Sequence, residues 1–211
     1  MIGKNSLLVL EKLKETIFSK EIILKYRNNK TDFTRNRKQP FGQMLLFMLN
    51  LVKKTLVIEI DNFVEFLNSK IDSEEVKYFT KSAFVQKRMK INPEVFKHLS
   101  EVIVENTYVD SNPTIKLFEG FRLLAVDGSK VTLPFTEDLK KEFGESKNQT
   151  KTSVVQGRAS VLYYLLNRIA LDSILEKLEI GERTLALRHS FRWEKNDLII
   201  KERIPKNYRL K

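Results

Sequence analysis

The sequence predicts an α+β chain, with a basic helical bundle in its N-terminal half and an α/β part after it. Up to about residue 110, apolar residues recur at three- and four-residue spacing, the period of a helix face. From Asn112-Pro113 onward they gather instead into short continuous or alternating runs, the pattern of strands. The charge balance adds a third observation: 38 Lys and Arg against 27 Asp and Glu give a formal charge of +11 over 211 residues.

Hydrophobic residues at 42% exclude wholesale disorder. The excess of positive charge favours a polyanionic partner through counterion release; anionic lipid would also serve. Nucleic acid is preferred, because no segment has the aromatic-anchored amphipathic character of a helix lying on a membrane. The absence of cysteine removes disulfides, thiolate nucleophiles and zinc-thiolate sites together. His98 and His189 lie far apart and show no metal-ligand spacing, and His98 reads as a surface or packing residue. The longest apolar stretch, 41–52, is too short for a membrane span and contains Gly42, Gln43 and Asn50. With no apolar signal block at the N-terminus, a cytoplasmic protein with no membrane partner is expected.

Residues 5–27 read as one or two amphipathic helices carrying Leu7, Leu8, Leu10, Leu13, Ile17, Ile22, Ile23 and Leu24. The stretch 26–39 then holds five Lys or Arg against one Asp and has no apolar period. It is either a solvated loop or an extended arm lying along DNA phosphates. Pro40 suits the first turn of a helix running to about Val52. A second helix is expected over 56–67 on Ile60, Phe63, Val64 and Leu67, and a short one over 73–79. Thr80 or Ser82 caps a basic helix over 81–90, and Asn92-Pro93-Glu94 opens another with the stripe Val95, Phe96, Leu99, Val102 and Ile103. The helix at 81–90, with its hydroxyl cap and preceding short helix, is the candidate recognition helix of a helix-turn-helix. An ordinary bundle helix with a basic surface is the rival.

In the α/β part, the apolar run from Phe121 ends at Asp127, and Gly128-Ser129 is expected to turn the chain there. Asp127 at an exposed strand end suits either a hard cation such as Mg²⁺ or an Asx turn to its own backbone. Val131-Thr132-Leu133-Pro134 is a further extended piece, and 137–143 a short helix ended by Gly144. Residues 159–164 and 169–175 read as two strands around Asn167-Arg168, although a helix over 159–175 also fits. A helix over 181–189 and a strand over 197–200 complete the pattern, with Glu182 at the helix start either a ligand or a dipole partner. Trp193 reads as packing. Three segments follow: residues 1–39 (helices and basic arm), 40–111 (a helical DNA-binding domain) and 112–211 (the α/β part).

Four blocks together resemble the insertion-sequence-four group of bacterial DDE transposases. They are Asp32-Phe33-Thr34-Arg35-Asn36-Arg37-Lys38-Gln39-Pro40-Phe41, Thr80-Lys81-Ser82-Ala83-Phe84, the run from Leu124 through Asp127-Gly128-Ser129 to Pro134, and the run from Gln156-Gly157-Arg158 to Tyr163. Gly181-Glu182-Arg183 is a weaker fifth. The resemblance implies a helical DNA-binding region followed by an RNase H-like catalytic domain. In that domain two Asp and one Glu hold two Mg²⁺ ions, which clamp the attacking and leaving oxygens of a phosphoryl displacement.

Carried over by motif, Asp127 is the first metal ligand. Glu202 stands where the second Asp is expected, and the third carboxylate has no counterpart in the chain. The resemblance therefore implies an enzyme lineage but an RNase H-like domain that is incomplete, truncated and inactive as a catalyst by itself, an ending that a frameshift would explain. The expected partner is double-stranded DNA at transposon ends, in a homo-oligomer or a mixed complex with full-length transposase. A non-catalytic inhibitor of such a transposase and a decayed gene product are the alternatives. Arg35, Arg37, Lys38, Lys81, Lys87 and Arg88 are the expected phosphate contacts, and Ser82 and Gln86 the base readers.

Overall fold

A computed structural model describes residues 4–35, 38–50, 54–70, 76–107, 115–147 and 152–201. The chain divides into two units, Met1–Asn106 and Thr107–Lys211.

The first unit is helical. The N-terminal stretch forms two helices, α1 (Lys4–Phe18) and α2 (Lys20–Tyr26), separated at Ser19, whose hydroxyl accepts from the Ile22 N–H as an N-cap. After a turn come α3 (Phe41–Leu49), with Pro40 at its N-cap, α4 (Leu56–Lys70), α5 (Lys81–Arg88) and α6 (Glu94–Thr107). Their apolar faces share one core. Ile17, Ile22 and Tyr26 join Phe41, Met44, Phe47, Ile60, Phe63, Phe84, Val95 and Leu99. Helices from both sides of Pro40, expected as separate segments, therefore pack around one core. Phe47 is the aromatic hub, edge-on to Phe63, Phe79 and Phe84 with ring centroids 5.1, 6.0 and 4.8 Å away. On α1 the apolar side is less covered, and Leu7, Leu8 and Leu10 are about half exposed.

Two local expectations give way here. The segment 76–80 forms no helix, so α5 does not follow directly on a helix at 76–79; the rest of the expected 73–79 helix lies outside the described residues. Val76 is held by a reciprocal pair with the Asn68 side chain, Val76 N to Oδ1 at 2.7 Å and Nδ2 to Val76 O at 3.2 Å. Residues 27–34 are not an extended arm either. They fold into a turn pinned to the α5–α6 connection: Asn28 N donates to Lys90 O, Asn28 Nδ2 to Met89 O, and Asn92 N to Tyr26 O, at 2.8–2.9 Å.

The second unit is built on a five-stranded sheet. Its strands are β1 (Arg122–Leu133), β2 (Ser146–Lys147), β3 (Ser153–Tyr164), β4 (Ile169–Lys177) and β5 (Asp197–Lys201). β3 lies antiparallel between β1 and β4, and β5 lies parallel to β1 on its other side. Two helices complete the unit: α7 (Glu137–Phe143), capped by Thr136 and ended at Gly144 with φ 80°, and α8 (Glu182–Arg188), continued by a 3-10 turn over His189–Arg192. The chain is thus mixed α+β. Residues 159–175 form a hairpin and not a helix, with Arg168 at φ 56° in its turn.

Alternation along β1 and β3 sets the layers. Leu124, Val126, Ser160, Leu162 and Tyr164 point to one buried face, and Leu185 of α8 is wholly buried in the same unit. Gly157 is on the other face, where a Cβ would lie 3.3 Å from the Phe143 ring of α7. The parallel register of β5 is locked by a fork: Arg122 Nε and Nη2 donate to Asp197 Oδ1 and Oδ2 at 2.6 and 2.7 Å, and Nη1 to Glu194 at 2.8 Å. The Asp197 side chain is 2% exposed, so this pair is a buried anchor and not a surface contact.

Candidate nucleic-acid interface and carboxylate positions

From Val76 to Lys90 the chain carries five Lys or Arg and no Asp or Glu. The sequence folds locally because Thr80 caps α5, its hydroxyl accepting from the Ala83 N–H at 3.2 Å. Phe84 and Ile91 turn inward to the core, which forces the charged positions outward. Lys81, Ser82, Gln86 and Arg88 are exposed on α5. The guanidinium of Arg88 lies 5.9 Å from the Phe84 ring centroid, and the Lys87 ammonium 4.5 Å from that of Phe33. Gln86 Nε2 and Ser82 Oγ, the two expected base readers, are 3.4 Å apart one turn along the helix.

Arg35 and Lys38 are exposed beyond the pinned turn; Arg37 lies outside the described residues. Several members of the 32–41 block are structural. Asp32 is 5% exposed. Its Oδ1 accepts from Lys90 Nζ at 2.9 Å, and its Oδ2 from the backbone and side-chain N–H groups of Asn29 at 3.1 Å. The Lys90 bond holds the Asp32 carboxyl below its ordinary pKa, against the opposing effect of burial. Phe33, at φ 56°, presents its ring edge-on to Phe41 at 5.0 Å.

Beside α5 runs an open groove walled by residues 38–43, residues 76–80 and the Ala83–Lys90 side of the helix. Of the predicted contacts it gathers Lys38, Gln86 and Lys87; Arg35, Lys81, Ser82 and Arg88 stand outside it. Sequence reading missed Gln39, Gln43, Lys77 and Lys90, which also line it. Only the charge run at 77–90 was a usable signal, since the groove is assembled from three segments distant along the chain.

In the second unit, Asp127 is exposed, but it does not end a strand. Gly128 and Ser129 do not turn the chain, and β1 continues through them to Leu133. Gly128 serves there by lacking a side chain: a Cβ would meet Glu182 Cγ at 3.2 Å and Ala159 O at 3.6 Å. The Asp127 carboxylate accepts from the Gly128 N–H at 2.8 Å. Successive strand residues point to opposite faces, so Asp127 and Glu182 lie on different sides of the sheet. Glu182 is instead tied to Arg158, Nη1 to Oε1 at 2.5 Å. Among the described residues no three His, Asp or Glu side chains converge to hold a metal ion, and Glu202 lies outside them. Asp127 and Glu182, on opposite sides of the sheet, do not meet around one metal ion.

One other polar cluster has the composition of a nucleophilic triad. His189 Nδ1 and Asp172 Oδ2 are 2.7 Å apart, and His189 Nε2 and Ser160 Oγ 3.0 Å. All three are buried, with His189 at 0% and Ser160 at 2% exposure, so no substrate reaches the hydroxyl. The cluster fastens the end of α8 to β3 and β4. His98 packs against Tyr26, rings 5.5 Å apart, and Trp193 is half-buried with Nε1 inside, both in keeping with packing roles. No helix among the described residues is long and apolar enough to cross a membrane. Comparisons with family models, with curated proteins and with solved structures give no match.

Proposed function

We propose that the chain is a transposase-family protein whose helical unit binds double-stranded DNA. The observation that carries this reading is the basic helix α5. It is capped by Thr80, anchored by Phe84, exposes Lys81, Ser82, Gln86 and Arg88, and lies in a stretch with no acidic residue. Such a surface neutralises backbone phosphates while its hydroxyl and amide face base edges. The helix-turn-helix reading rests on α5 itself, since residues 76–80 before it form no helix.

What supports the catalytic lineage is the sheet of the second unit. Three antiparallel strands are followed, after a helix, by a strand parallel to the first and beside it, with Asp127 midway along that first strand. That order fits the opening of an RNase H-like domain. Metal-dependent phosphoryl transfer stays an expectation of the family resemblance.

The test is duplex binding by fluorescence anisotropy across a salt series. The wild-type chain should lose affinity steeply as salt rises. Lys81→Gln with Arg88→Gln should lower the slope of log K against log salt by about 1.8, at about 0.9 per phosphate contact. Asp127→Ala should leave affinity and slope unchanged. An unaltered slope in the α5 double variant would refute the interface.

A further inference from the structure

Helix α1 has two apolar sides where its own fold needs one. Leu13 and Ile17 turn into the helical core, and Gly42 of α3 lets the end of α1 come close, since a Cβ there would lie 2.7 Å from the Phe18 ring. Roughly a third of a turn round from that core face, Leu7, Glu11, Lys14 and Phe18 are all exposed, Leu7 at 49% and Phe18 at 50%. Their spacing is four, three and four residues, the interval that keeps side chains on one seam of a helix. A helix whose core face is already covered has no use of its own for a second seam with apolar ends.

That seam reads the same in reverse. Two copies laid head to tail set Leu7 against Phe18 and Glu11 against Lys14. Each contact then occurs twice about a two-fold axis, apolar at both ends and oppositely charged in the middle. A parallel pair would set Glu11 on Glu11 and Lys14 on Lys14, which repels. Lys12 and Glu15 lie off the seam and bind each other along their own helix at 3.2 Å.

We propose that α1 is a self-association surface, on which a second copy of this chain docks through its own α1 in antiparallel order. The occupant is a copy because the seam complements itself. With three Lys and two Glu, α1 has too even a charge balance to single out a polyanion or an anionic bilayer. Two paired helices about 22 Å long bury less than a standard interface, so the dimer is a weak one, with a Kd on the order of 10 µM. The inference stands apart from the DNA-binding reading, since no residue of α5 takes part.

Sedimentation velocity of the full chain without DNA, over about 1–200 µM, tests it. The wild-type chain should pass from monomer to dimer across that range. Glu11→Lys alone and Lys14→Glu alone should each weaken the dimer about tenfold, because each sets like charges together twice. An equimolar mixture of the two single variants should dimerise at the wild-type level again, since every Lys on the seam then faces a Glu. A change confined to one helix would not be repaired by mixing, so the mixture separates docking from a merely local effect. Both positions are exposed, and circular dichroism should show the fold unchanged in each variant. A wild-type chain that stays monomeric throughout would overturn the proposal. So would single variants that dimerise as the wild type does, or a mixture no tighter than its components. No DNA is present, so any of these results leaves the α5 reading to its own test.

Discussion

Replacing Arg122 by Met should release β5 from the sheet. The guanidinium makes two bonds to Asp197, at 2.6 and 2.7 Å, and the Asp197 side chain is 2% exposed. With Arg122 gone, the carboxylate keeps the Glu194 N–H at 2.8 Å as its recorded partner, too little for a buried charge. Removing one member of such a pair costs about 3–5 kcal/mol, because the remaining charge is stranded. Among the described residues β5 pairs with β1 alone. The cost should therefore appear as local opening and not as collapse of the β1–β3–β4 ladder. Hydrogen exchange is the assay. Amides of Leu198–Ile200 should exchange on the order of 10²-fold faster or more, while those of β3 and β4 change little. The double variant Arg122→Met with Asp197→Leu should recover most of the protection, since removing both charges leaves nothing unpaired. A single variant that changes exchange by less than about fivefold, roughly 1 kcal/mol, would refute the argument. So would a double variant no better than the single one, which would assign the loss to packing.

Other predictions follow from particular contacts. The folded pKa of Asp32 lies below its ordinary value of 3.8, so the stability it contributes is present above that value and lost as pH falls through the folded pKa. The amide of Asn29, which donates to Asp32, should accordingly lose exchange protection only below about pH 4, and Lys90→Met should move that loss to higher pH. Tyr78, pushed up to about 12 chiefly by its bond to Asp61, should be among the last of the six tyrosines to ionise in an ultraviolet titration. Asp61→Asn should bring it back toward 10; an unmoved titration would show that the bond is not the cause. Gly157→Ala should destabilise the second unit by about 1–3 kcal/mol in urea unfolding, from overpacking. The added Cβ would sit 2.9 Å from Leu175 Cδ1 and 3.3 Å from Glu176 O. A neutral result would show that β4 and α7 yield easily.

Elements fixed by local pattern were legible. The stripe Val95, Phe96 and Leu99 gave α6, Pro40 gave the start of α3, and Gly144 gave the stop of α7, because periodicity and capping chemistry act within a few residues. Gly128-Ser129 misled for the same reason. Read locally a glycine there signals a turn, whereas in the sheet its missing side chain makes room for Glu182, more than fifty residues later. The basic stretch at 26–39 could be read as a solvated loop or as an arm because its only acid, Asp32, has its partner in Lys90, 58 positions away. The Ser160, Asp172 and His189 cluster was invisible in advance, since strand register and the placement of α8 bring it together.

By itself the sequence determined the α+β class, the run of helices followed by strands and the basic character of residues 76–90. These depend on residue type and short spacing. The tertiary structure decided which charges are spent and which are offered: Lys90 and Glu182 are held in ion pairs, while Lys38 and Lys77 line the groove beside α5. It also set Asp127 and Glu182 on opposite faces of one sheet. The reason is that a side chain's availability depends on its neighbours in space, and in this chain the deciding neighbours lie tens of residues away along the sequence.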